Sequence, residues 1–273
     1  MISKKQSVYL WLFAIVFTVA TAVYQKSTGP TYPKKGEVEV NGESYSYKLL
    51  TSWGGDLDAT IKIEVPENIN GFITYRKYRT QDEWQKVNMV HDGEYLSGDL
   101  PHQPPAGKLE YIVTILTNKK QHVLKEKPIV IRFKGGVPLF ILIPHVIFMF
   151  TAMLYSTRTG IEAIGKGHRT YNYTIITTVC LLIGGLILGP IVQKYAFGDY
   201  WTGWPFGGDW TDNKTIFAFL FWIIAIVALR INRKNRLWPI IATIVLFSMY
   251  MIPHSMGGSE LDNETGKVTT GIK

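Results

Sequence analysis

Four apolar runs crowd the second half of this chain and a fifth opens it: Val8–Tyr24, Val137–Thr157, Tyr173–Gln193, Thr215–Ile231 and Leu237–Pro253. A helix rises 1.5 Å per residue, so runs of about 17–21 residues reach across a hydrocarbon core about 30 Å thick. Between the first and second runs, from about Gln25 to Gly136, the composition is that of a water-soluble domain. The chain therefore reads as an integral membrane α-helical bundle of about five transmembrane helices with one soluble insert.

The formal charge of +8 would point to nucleic acid if it were spread evenly. It is not. The soluble segment nearly balances its charges, and the segments around 192–214 and after Pro253 are slightly acidic. The excess sits in Lys4, Lys5, Arg158, Lys166, Arg169, Arg230, Arg233, Lys234 and Arg236, opposed by Glu162 alone. These residues occupy three short stretches that alternate with the apolar runs, which is the positive-inside pattern. It places the N-terminus and the segments 158–172 and 230–236 in the cytoplasm, and the soluble insert, the 195–215 loop and the C-terminal tail outside. In a bacterial cell this is the inner (cytoplasmic) membrane. No nucleic-acid partner is needed to explain the charge.

The first run, with its Lys4-Lys5 start and the small residues Ala20-Thr21-Ala22, also fits a cleaved signal peptide. The expectation is a retained anchor over 1–30. The single Cys180 lies inside an apolar run, so no internal disulfide, cysteine metal site or CxxCH heme attachment exists.

From Gly36 to Lys134 the period changes to two. Ile61, Ile63 and Val65 alternate with polar residues, as do Leu109, Tyr111, Val113 and Ile115, and then Ile129, Ile131 and Phe133. Turn residues such as Asn41-Gly42, Asn70-Gly71 and Asp92-Gly93 separate the runs. Short alternating strands with regular turns predict an extracytoplasmic all-β sandwich of immunoglobulin or fibronectin type over 36–134. Its histidines, His91, His102 and His122, are scattered. We read it as a docking module for other membrane or extracytoplasmic proteins rather than a catalytic domain.

The four-helix domain, 137–258, holds the candidate site. Its loop 195–215 carries Trp201, Trp204 and Trp210 among three aspartates. His145 stands about two turns into the second run, and His254 follows Pro253 at the end of the last. Ionisable groups near a bilayer are costly to place and often functional, and a histidine pair beside an aromatic wall can ligate heme iron. Met149 shares a helical face with His145. The bland alternatives are an interfacial aromatic belt and a histidine bonded to a neighbouring helix.

The loop resembles the tryptophan-rich WGxxWxWDxxET loop of the heme-handling membrane proteins of cytochrome c assembly. Phe197-Gly-Asp-Tyr-Trp201-Thr-Gly-Trp204 is similar to its start, Asp212-Asn-Lys-Thr215 to its close, and His254-Ser-Met-Gly257 to the His-Ser-x-Gly that follows. Phe197 stands where that motif has Trp, and Pro205–Trp210 is an insertion within it. The resemblance implies heme held edge-on against the loop with His145 and His254 as axial ligands. Electron transfer or heme handling would follow.

Other chemistries fare less well. The carboxylates Asp199, Asp209, Asp212, Glu260 and Asp262, with Asn213, offer oxygen ligands to a hard cation but match no calcium-loop spacing. Ser255 and Ser259 lack a nucleophile elbow, so a catalytic role is not expected. The alternative function is a non-catalytic accessory or scaffolding subunit of a larger membrane complex, docking partners through its β-sandwich; the tail 259–273 is expected outside. A transporter or sensor is disfavoured because the runs carry no acidic or basic residue. A reporter enzyme active only outside the cytoplasm, fused after Lys134, is expected to be active, and after Arg169 or Arg236 inactive; the reverse pattern contradicts the orientation.

Overall fold

The computed structural model describes residues 3–117, 120–253 and 257–270. Helix α1 (Lys4–Thr28) opens on a capping box in which Ser3 Oγ accepts from the Gln6 N–H and Gln6 Oε1 accepts from the Ser3 N–H. The reciprocal bonds satisfy two donors that the first turn would otherwise leave unpaired.

Two sheets follow. The first has the order β1 (Lys34–Val40), β2 (Glu43–Leu49), β4 (Ala59–Glu64), β8 (Tyr95–Leu100), β7 (Val90–Asp92). The second has the order β3 (Ser52–Gly54), β11 (Ile129–Lys134), β9 (Lys108–Leu116), β5 (Asn70–Lys77), β6 (Gln85–Asn88), with β10 (Gln121–Val123) also pairing β9. Pairing is antiparallel except between β3 and β11. The register sets Ile63 opposite Leu96, Ile73 opposite Val113 and Ile131 opposite Leu109. A strand turns alternate residues to opposite faces, so these side chains meet in one core between the sheets, with Tyr111 and Phe133 among its largest members.

Four helical stretches are long and apolar enough to cross a membrane: Lys4–Thr28, Leu139–Ile164, Thr170–Phe197 and Trp210–Ile231. The fifth expected run folds as a shorter helix, Leu237–Met251. We call these α1, α2 (Leu139–Ile164), α3 (Thr170–Leu181) continuing as α4 (Gly189–Phe197), α5 (Trp210–Ile231) and α6 (Leu237–Met251). Between α3 and α4 the helix widens into a π turn, Leu182–Leu188. Pro190, just beyond it, has no N–H to give to the carbonyl one α-turn back, and a wider turn relieves that conflict. The helix crossings there are tight. A Cβ on Gly184 would lie 2.8 Å from the Phe148 Cβ, and one on Gly185 would lie 2.6 Å from the Thr215 methyl.

Two readings of the sequence change. Helix α2 runs past the expected loop start at 158, so Arg158 and Glu162 lie inside a helix, both buried and ion-paired at 2.6 Å. Arg158 is also packed over the rings of Trp11 and Tyr173. The bundle therefore does hold charged groups, and the argument against a transporter loses that support. The C-terminal segment forms a hairpin, β12 (Ser259–Leu261) with β13 (Val268–Thr270), which docks on the sandwich where the Leu261 N–H donates to Ala106 O at 3.1 Å.

The sandwich is joined to the bundle by direct backbone contact. Gly135 donates its N–H to Ala196 O at 3.0 Å, and a Cβ at this position would sit 2.3 Å from Tyr195 O. Gly135→Ala should therefore lower stability by about 1–3 kcal/mol, as overpacking against fixed backbone does. Gly54→Ala, where a Cβ meets open space, should stay within about 0.5 kcal/mol. Thermal unfolding of the two purified variants checks the contrast.

Candidate functional site

At the sandwich end of the bundle the helices enclose a cavity of about 680 Å³. Its deeper part is apolar, walled by Val19 of α1, Val146 and Met149 of α2, Ala218 of α5 and Leu246 of α6. Its upper part is polar, where Arg132, Gln193, Asp209, Asp212 and Lys214 reach the wall. A volume of several hundred Å³ with apolar walls and a few convergent polar groups is the form of a small-molecule site.

His145 stands on that wall because α2 enters the bundle through Pro144, and its Nδ1 lies 2.8 Å from Gly184 O. A carbonyl only accepts, so Nδ1 carries a proton, and in the neutral form of the ring Nε2 holds the lone pair. The π turn is what presents that oxygen. Gly184 O accepts the Gly189 N–H five residues on and retains a second lone pair for the imidazole. A histidine fixed through one nitrogen by a carbonyl, with the other available, is the arrangement metal-ligating histidines adopt. Met149, one turn on, lines the same cavity.

The aromatic loop closes the upper end by folding around its own acids. Asp209 caps α5, accepting from the Thr211 N–H at 2.7 Å, and also takes Thr202 Oγ1 at 3.0 Å and the Ser259 N–H at 3.1 Å. Asp212 accepts from the Thr202 N–H at 2.7 Å and from Gln193 Nε2 at 3.1 Å. Gln193 also donates to Thr202 Oγ1 at 2.9 Å. Asn213 Oδ1 holds the Trp204 N–H at 2.6 Å. Gln193, Thr202, Asp209, Asp212 and Ser259 are buried, where an unmet polar group costs about 1–3 kcal/mol. The loop's conformation is thus fixed by carboxylates, and Trp204 and Trp210 are carried on the outside of that knot.

Arg132 is the unexpected member. Its neighbours on β11, Ile131 and Phe133, face the sandwich core, so alternation turns Arg132 away from it. Yet it is only 6% exposed, because Phe197 and Ser259 cover it. Its Nη2 donates to Ser259 O and its guanidinium stacks 3.8 Å from the Phe197 ring centroid. Burial pushes its pKa down to about 10, with Asp209 and Glu260 pulling partly the other way, so it remains a cation at neutral pH. Nearby, Glu260 pairs with Lys108 and Arg79; burial lowers the Lys108 pKa despite that partner. Lys214, also buried, donates Nζ to Ile252 O at 2.8 Å.

Of the expected site residues, His145, Met149 and Trp201 come together on the cavity wall. Trp201 is held by its Nε1–H to Trp204 O at 3.0 Å. Trp204 and Trp210 are 70% and 48% exposed and turn away from the cavity. His254 lies outside the described residues. The oxygen ligands considered for a cation are committed to N–H donors and ion pairs, and among the described residues no group of three or more His, Cys, Asp or Glu is placed to hold a metal ion. Sequence reasoning missed Arg132, Gln193 and Lys214. The signal for Arg132 was present as a basic residue between two core positions of a strand, Ile131 and Phe133.

Comparison of the chain with protein-family models, with curated proteins and with solved structures finds no match. The site's geometry is therefore the ground for any functional reading. Replacing Asp212 by Ala would strand the Thr202 N–H and the Gln193 amide in a buried place, and a loss of about 2 kcal/mol or more is expected. Asp212→Asn, which keeps an accepting oxygen, should lose less; comparing their melting temperatures checks this.

Proposed function

We propose that this protein holds heme in the junction cavity, on the outer side of a cytoplasmic membrane, in heme handling, cytochrome c assembly or electron transfer. The observation that carries the reading is the His145 imidazole, tied by Nδ1–H to Gly184 O with Nε2 left as a ligand beside an apolar space of about 680 Å³. The wall fits a porphyrin: Trp201 supplies a ring, Met149 a polarizable thioether, and the aliphatic lining excludes water. His254, outside the described residues, is the second residue proposed to hold the iron. Bound heme would supply the redox chemistry; the chain supplies the ligand tautomer and the dry pocket.

A second reading, a scaffolding subunit without a cofactor, is favoured by the edge of the first sheet. There β7 exposes Val90 to 70% beside unpaired backbone, the kind of edge that accepts a partner strand. The immunoglobulin-like character of the sandwich suits such docking.

Absorption of the protein purified from heme-supplied cells separates them. A Soret band that His145→Ala and His254→Ala each shift or abolish, and that His122→Ala leaves intact, is the result heme binding requires. A colourless protein that heme titration does not change, copurifying with other membrane subunits and tolerant of His145→Ala, would reject heme in favour of the scaffold.

A further inference from the structure

The buried guanidinium of Arg132 lacks the partners such a group ordinarily has. Among the described residues its one hydrogen-bond acceptor is Ser259 O, taken by Nη2; Nε is buried without a partner, and no carboxylate of the described residues lies within ion-pair distance. Removing a charge from water without an opposite charge costs several kcal/mol, so an arginine held this way marks a place where a negative group belongs.

The neighbouring acids do not fill that place. Asp209 is spent on Thr211, Thr202 and Ser259, Asp212 on Thr202 and Gln193, and Glu260 on Lys108 and Arg79. A second buried cation, Lys214, lines the same end of the cavity. The cap thus holds two buried cations, Arg132 with an unpartnered Nε and Lys214 bonded to Ile252 O.

Below the cap the cavity is apolar and opens sideways. Val19 and Val23 of α1 and Val146 and Phe150 of α2 line it and are nonetheless exposed. Helix α1 is clamped to the bundle at its far end, where Trp11 packs edge-on to Tyr155 and Tyr173 at 5.1 and 5.6 Å and Phe17 meets Phe247. At the cavity's level it is tied by Gln25 Nε2 to Tyr250 O at 2.7 Å. The mouth between α1 and α2 therefore faces the layer in which these apolar helices sit.

We propose that the cavity admits an anionic amphiphile from the bilayer through the gap between α1 and α2 and seats its carboxylate or phosphate against Arg132, with Lys214 beside it. Two sources share this chemistry, the carboxylates of heme and the phosphate of a phospholipid. The seat is argued from Arg132 and the mouth and does not rest on His145.

The test uses the full chain in a neutral detergent and two matched pairs of probes: heme against its dimethyl ester, and phosphatidylglycerol against diacylglycerol of the same chains. In at least one pair the anionic member should bind at least tenfold more tightly, and Arg132→Gln should reduce that preference to within threefold while Arg132→Lys retains part of it. The pair that responds names the source. Val146→Trp, which fills the mouth without touching the polar cap, should slow association of that ligand at least tenfold in otherwise folded protein. Equal affinities within both pairs, no binding by any probe, or a preference that survives Arg132→Gln overturns the seat; an unchanged association rate in Val146→Trp overturns the lateral route. Heme binding indifferent to esterification, with equal lipid affinities, would sink this proposal and leave the heme reading standing. A lipid preference without any heme binding would do the reverse.

Discussion

The arrangement depends on the burial of polar groups where the sandwich meets the bundle. Thr202, Gln193, Asp209, Asp212 and Ser259 come from a loop, two helix ends and the C-terminal hairpin, and they satisfy one another out of water. Each group left unmet there would cost about as much as a mutation that matters to a marginally stable fold. The elements cannot separate without exposing the rest, so the network fixes the ends of α4 and α5, the aromatic loop and the hairpin as one structure, and the hairpin holds the sandwich through Leu261 and Ala106. The cavity beneath keeps its roof for the same reason.

That constraint recasts the loop. Two of its three aspartates, Asp209 and Asp212, do not face outward as cation ligands but inward as acceptors for backbone N–H groups, and two of its glycines lie where side chains would collide. A Cβ on Gly203 would fall 2.5 Å from the Asp212 Cβ, and one on Gly207 2.5 Å from Thr202 O. Of three tryptophans only Trp201 reaches the cavity; Trp204 and Trp210 present their rings outward, where interfacial aromatics are ordinarily found.

Much of the fold was legible from period alone. The alternation at Ile61–Val65, Leu109–Ile115 and Ile129–Phe133 gave strands whose inward faces make the core, because a two-residue period has one structural solution. The apolar runs gave helices, although α6 is shorter than its run and α2 longer than its own; helix ends depend on caps and tertiary cover that composition does not encode. The site was legible in part. His145, Met149 and Trp201 were found because ionisable or aromatic residues stand out among aliphatic ones. Arg132 was not, since its burial comes from Phe197 and Ser259, distant in sequence, and a strand pattern records only which face is inward. The π turn that gives His145 its carbonyl was visible only as a Gly-Gly and Gly-Pro pair.

The central claim is that the junction cavity is a binding site, with a cation at its roof and a histidine on its wall. A cryo-electron microscopy map of the protein extracted in nanodiscs with its native lipids tests it most directly. The account predicts non-protein density spanning from Arg132 to the level of His145, with the α1–α2 gap open to lipid. A map in which side chains close the cavity, or in which Arg132 is paired to a protein carboxylate and the space is empty, would contradict it.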